Sequence, residues 1–127
     1  MHLALWIAAG LLAAVALTGG TTKTFFPRER LAAAKGGEWT AHASDGFVTT
    51  LGVLELLAAA GLILPAALGV VPFMVPVTAA CWVLLMIGAM VTHGRLGQFG
   101  LAALNAAYLA LAAFIAWGRF LAEPFTG

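Results

Sequence analysis

Residues 51–65 read LGVLELLAAAGLILP, an apolar run interrupted by one charged side chain, Glu55. With GFVTT before it, the segment is long enough to cross a bilayer, because a hydrocarbon layer of roughly 30 Å takes about 20 mostly apolar residues as a helix. That reading makes the fold a membrane one, and it leaves a question. A charged group inside a span is costly, so Glu55 needs a reason to be there.

The rest of the chain agrees with the membrane reading. Hydrophobic residues make up 63% and charged residues 9% of its 127 residues, and mean hydropathy is +1.04. Soluble domains carry about a quarter of their residues as charges. A net charge of +1, with no basic patch interleaved with aromatics, argues against a nucleic-acid partner. Cys81 is the only cysteine, so an intramolecular disulfide and a CxxC pair are excluded. His2, His42 and His93 are too dispersed to suggest a metal site, and none is expected. The first segment lacks a basic leader and its apolar run exceeds a typical signal sequence, so a retained anchor is expected.

Hydropathy and length predict an all-α fold: one transmembrane domain over residues 1–127, an antiparallel four-helix bundle. Its spans are expected at about 3–22, 46–64, 71–92 and 99–117, with a polar connection at 23–45. Pro72 and Pro76 are placed in the first turns of the third span. RERLAAAK in the polar connection is a candidate interfacial helix, held by Phe25, Phe26 and Trp39. Lys23, Arg28, Arg30, Lys35 and Arg95 fall in the first and third connections, against Arg119 on the other side. The positive-inside rule then puts those connections in the cytoplasm and both termini outside, in a multi-pass protein of the cell (inner) membrane. Trp39 reads as part of an aromatic belt on the cytoplasmic side, and Trp82 as packing.

Depth arithmetic gives Glu55 polar neighbours. At about 1.5 Å per residue it lies on the order of 13 Å below the charged connections, Asn105 and Tyr108 about 9–14 Å, and Thr18 roughly 6–8 Å. Spacings of three and four place Gly52, Glu55 and Ala59 on one face of the second span. Gln98, Leu101, Asn105, Tyr108 and Ala112 share a face of the fourth. Thr78, Cys81, Leu85, Gly88 and Thr92 do so on the third, and Ala14, Thr18 and Thr21 on the first. Small residues let helices approach closely in lipid. The four stripes are expected to converge on one interior with Glu55 as its only ionisable member, and with Lys23 and His93 around its mouth. Each group also has a structural reading. For Glu55 the structural reading, second to a site role, is a protonated acid bonded to a backbone carbonyl or to Asn105, and for Asn105 and Tyr108 it is interhelical glue. Lys23 reads as a snorkelling cation, His93 as a helix C-cap and Cys81 as a small core residue.

LTGGTTKTFFPRERLAA, LGVLELLAAAGLILPAALGVVPFMVPVTA and LNAAYLALAAFIAWGRF together resemble the DoxX-like family of small bacterial four-helix membrane proteins. The resemblance covers nearly the whole chain, and Lys23 and Glu55 are the positions that carry over. It implies a link to a quinone-using membrane oxidoreductase, to redox stress defence or to assembly of other membrane proteins. With no haem-ligand histidine pair in a span, the chain has no intrinsic cofactor, and a quinone or a partner would have to bring redox chemistry. The leading expectation is a pocket for a small lipophilic molecule, a quinone above all, with ligand contacts from Glu55, Asn105, Tyr108, Thr18, Lys23 and His93. Two alternatives stay open: an acid/base enzyme of isomerase or cyclase type using Glu55, and a scaffold subunit without a ligand. A membrane oxidoreductase or a second copy of the chain is the expected protein partner.

Overall fold

The computed structural model describes residues 1–34 and 37–125. Lys35, counted above toward the charge bias, lies outside the described residues. Four long helices dominate: α1 (His2–Phe25), α3 (Asp45–Leu68), α4 (Met74–Arg95) and α5 (Phe99–Trp117). A short α2 (Arg28–Ala33) and a 3₁₀ turn (Glu38–His42) lie in the polar connection, and a π turn (Gly118–Ala122) extends α5. The four spans have mean hydropathy of 1.9 to 2.2, long and apolar enough to cross a membrane. Few of their side chains are buried in the protein, and Leu3, Leu57, Leu84 and Phe99 stand wholly outward, as lipid-facing residues do.

The helix limits differ from the sequence expectation for local reasons. α3 starts at a true cap, Ser44, whose hydroxyl accepts from the Phe47 N–H, with Asp45 in the first turn to complement the dipole. It then runs through Pro65 instead of stopping before it. In a span, a proline removes one backbone bond without ending the helix. The helix closes at Gly69, whose φ of 67° is the left-handed geometry that glycine adopts freely. α4 begins at Met74, so Pro72 precedes it, and only Pro76 sits in the first turn. α1 continues past Thr22 to Phe25, and α4 past Thr92 to Arg95.

The helices form a ring in the order α1, α3, α4, α5, with α1 packed most extensively on α3 and α4 on α5. Contacts between those two pairs are sparser. The half of the bundle near the termini is solid: Leu5, Leu12, Leu62, Val75, Ala79 and Ile115 are almost fully buried there. Glycines bring α1 and α3 together. A Cβ at Gly20 would stand 2.9 Å from the Gly52 carbonyl oxygen, and one at Gly52 would stand 2.7 Å from the Thr24 backbone nitrogen. Gly52 therefore lies opposite Lys23 and Thr24, and the start of α3 projects beyond the end of α1 by on the order of 10 Å.

The first helix presents a different face from the one expected. Leu5, Ala8, Ala9, Leu12, Ala16 and Gly20 are its buried residues, whereas Ala14, Thr18 and Thr21 are exposed. On α4, Val75, Pro76, Ala79, Trp82 and Met86 are buried, and Cys81 is exposed instead of packed in the core.

The polar connection folds back over the bundle. Arg28 anchors it: Nε donates to Asp45 Oδ1 at 2.7 Å, and Nη1 to the Ala41 carbonyl at 3.3 Å. Phe26 stacks under the Arg30 guanidinium and stays exposed, as does Phe25.

Candidate functional site

The half of the bundle near the polar connection is open. A cavity of about 410 Å³ lies between the α1/α3 pair and the α4/α5 pair. Glu55 and Lys23 form one wall, Trp82 and Leu85 of α4 another, and Asn105 and Tyr108 of α5 a third. Thr92 and His93 lie toward its mouth, where Trp39 dips in from the connection. Trp39 is thus part of the cavity cover and not of an outer aromatic belt.

Glu55 is 7% exposed and is paired with Lys23. Nζ donates to Oε1 at 3.2 Å and stands 3.0 Å from Oε2, close enough for ion pairing although the angle there does not suit a hydrogen bond. Two features bring the charges together. Helical side chains lean toward the N-terminus of their own helix, so on these antiparallel helices Lys23 leans into the membrane and Glu55 leans out toward the connection. Gly19 leaves the space they meet in: a Cβ there would lie 3.2 Å from Oε1 and 3.3 Å from Nζ. Glu55 consequently lies level with Gly19, on the order of 9 Å from the end of α1, less deep than its position in α3 alone suggests.

The expectation that Glu55 is the interior's only ionisable group is therefore corrected. Its partner is Lys23, not Asn105, Tyr108 or Thr18. Thr18 is not in the site at all. Its hydroxyl donates to the Ala14 carbonyl at 2.9 Å, which satisfies it within its own helix and leaves it on the outer face. Asn105, Tyr108, Lys23 and His93 do line the cavity with Glu55.

Two residues of the cavity wall each carry a donor with no acceptor. The Trp82 indole Nε1 and the Asn105 amide Nδ2 are buried, and neither has a hydrogen-bond partner among the described residues. Leaving such a group unpaired costs about 1–3 kcal/mol, so an acceptor supplied by a ligand is worth that much in binding. Among the described residues, the solid half of the bundle has no counterpart to this pair. Trp82 carried no sequence signal beyond its depth.

His93 lines the cavity and is tied through its Nδ1 to the connection. Gln98 Nε2 donates to Glu38 Oε2 at 2.9 Å, which turns its Oε1 toward His93 Nδ1 at 2.7 Å. His93 therefore carries its proton on Nδ1 in this contact. The chain Glu38–Gln98–His93 joins the first and third connections across the mouth.

At the opposite end a smaller concavity, about 230 Å³, is bordered by Arg119, Phe125 and the start of α4. Arg119 is 4% exposed, its guanidinium stacks 3.9 Å from the Phe125 ring centre, and Nη1 donates to the Glu123 carbonyl at 3.0 Å. Arg119 Nη1 and Trp6 Nε1 also reach the two ring nitrogens of His2, at 3.0 and 3.1 Å. A neutral imidazole has one acceptor nitrogen, so these two bonds alternate. This cluster closes the terminal end of the bundle.

The model of the DoxX-like family matches residues 7–115. No curated protein and no solved structure matches the chain.

Proposed function

The chain belongs to the DoxX-like family of multi-pass membrane proteins, and from that premise we propose that its open half-bundle binds a small lipophilic molecule through that molecule's hydrogen-bond acceptors. The observation that carries this reading is the pair of unpartnered buried donors, Trp82 Nε1 and Asn105 Nδ2, carried by two residues that line one cavity. A quinone suits them. It is apolar overall, it carries carbonyl oxygens that accept from an indole and an amide, and a cavity of about 410 Å³ falls in the usual range for small-molecule pockets, about 300–1,000 Å³. The Lys23–Glu55 pair adds a donor and an acceptor that can polarise a bound carbonyl or hydroxyl. A ligand-free scaffold has no use for the cavity, and nothing prevents it from packing this half as tightly as the other.

The setting is the inner cell membrane, with the two basic connections in the cytoplasm, and a quinone-linked oxidoreductase or a second copy of the chain is the protein partner that suits it. Calorimetric titration of decylubiquinone into the reconstituted protein tests the binding. Saturable binding is expected in the wild type, weakened on the order of tenfold in Asn105→Leu, which corresponds to about 1.4 kcal/mol. Equal affinity in wild type and Glu55→Gln would remove the ion pair from the site. No saturable binding in the wild type would leave the scaffold reading.

A further inference from the structure

Resting on that pocket, we infer that its ligand is a tailed amphiphile which enters sideways from the bilayer, between α3 and α4, and leaves its tail in that gap. The cavity wall is mostly half-buried, but its exposed members are not scattered. Phe47 is 55% and Leu84 71% exposed, and Gly88 is exposed beside Leu84. Phe47 and Leu51 lie one turn apart on α3, and Leu84 and Gly88 one turn apart on α4. They are the facing edges of a slot.

The slot has a structural origin. Near the terminal end α3 and α4 are pinched together, since a Cβ at Gly61 would stand 2.5 Å from Thr78 Oγ1, and the short connection after Gly69 ties them. Three turns further along α4, beside the cavity, a Cβ at Gly88 would meet nothing within 4 Å. Between the Gly61–Thr78 contact and the polar connection, the cavity comes between residues of the two helices, Leu51 and Glu55 on α3 and Leu85 and Ala89 on α4. The α1–α3 and α4–α5 seams are the closely packed ones. Gly20 and Gly52 close α1 on α3, and the cavity residues of α1 and α5 are half-buried.

The polar end of the cavity is covered by Trp39, on a connection pinned by Arg28, and by the Glu38–Gln98–His93 chain. The slot edges are apolar and face acyl chains. A molecule suited to both has a compact acceptor-bearing head, which reaches Trp82 and Asn105, and a long apolar tail, which lies along Phe47, Leu51 and Leu84. A head group without a tail forgoes the slot.

The test uses a full-length protein keeping Trp82 as its only tryptophan (Trp6, Trp39 and Trp117→Phe) in lipid nanodiscs, with decylubiquinone as a quencher of its fluorescence. Adding Gly88→Phe fills the slot where there is space for it. Quenching of Trp82 should slow on the order of tenfold, a gating effect on association. Gly10→Phe, at another open lipid-facing position, should not change the rate. Phe47→Ala, which widens the slot, should speed quenching, so the inference can be judged even if Gly88→Phe folds poorly. The same quinone head without a tail should quench Trp82 alike with and without Gly88→Phe. Rates unmoved by both slot variants would overturn lateral entry while leaving the pocket standing. Absence of Trp82 quenching by either quinone in the parent protein would overturn the pocket itself, and this inference with it.

Discussion

Substituting Lys23 by Met removes the only charge that pairs with Glu55 among the described residues while keeping most of the side-chain volume. Breaking a buried ion pair by deleting one partner costs about 3–5 kcal/mol, because the remaining charge loses its compensation. The Lys23 side chain is 22% exposed against 8% for Glu55, so part of the pair is already solvated and the expected loss is nearer 2–4 kcal/mol. The reverse deletion should be milder. In Glu55→Gln, Lys23 lies two residues from the end of α1 and can turn its ammonium toward the connection, so the expected loss is about 1 kcal/mol. The double variant Lys23→Met/Glu55→Gln should be more stable than Lys23→Met alone, with a coupling of about 2 kcal/mol. Reversible unfolding in mixed micelles, followed by circular dichroism, reads all four proteins. Single losses that simply add, within about 0.5 kcal/mol, would refute a specific Lys23–Glu55 interaction. Equal losses from the two single variants would refute the asymmetry argued from their positions.

Three further outcomes follow from the packing. Gly52→Ala puts a Cβ 2.5 Å from Thr24 Oγ1 and should cost about 1–3 kcal/mol in the same unfolding assay, whereas Gly10→Ala, with open space around it, should be neutral. Arg28→Ala releases the connection from Asp45, and limited proteolysis should then cut near the Trp39 turn faster than in the wild type while the spans stay protected. Trp82→Phe removes a buried donor that has no protein partner, so it should leave stability within about 1 kcal/mol of wild type while weakening decylubiquinone binding. A large stability loss there would mean that the indole packs a core and does not serve a ligand.

The spans were legible because each is a long apolar run, and the inward turn of Glu55 was legible from Gly52 and Ala59 at helical spacing. The identity of its partner was not. That depends on α3 overshooting α1 and on the opposite lean of two side chains, neither of which leaves a mark in the residue order. Threonine misled for a plain reason. Its hydroxyl is satisfied by a carbonyl one turn back, as at Thr18 on Ala14, so its presence does not identify the inner face. A better signal was available: Leu5, Leu12, Ala16 and Gly19 recur at helical spacing and end on Lys23, which marks that lysine as inward. Trp82 packs in the core as its depth suggests, but that it also borders a cavity, and that Trp39 covers it, could not be read, because the cavity lies between helices that are locally regular.

Ligand binding in the cavity is tested most directly at the Trp82 indole. In protein labelled with nitrogen-15 at its tryptophan side chains, with the Trp82 signal identified by its loss in Trp82→Phe, the indole N–H resonance can be followed as decylubiquinone is added in lipid. Formation of a hydrogen bond to a quinone carbonyl should move that proton downfield to a saturating limit, with the Trp6 and Trp117 signals unchanged. A Trp82 resonance that stays fixed in the folded protein as the quinone is raised to saturation of the bilayer would contradict the claim that this cavity binds an acceptor-bearing ligand.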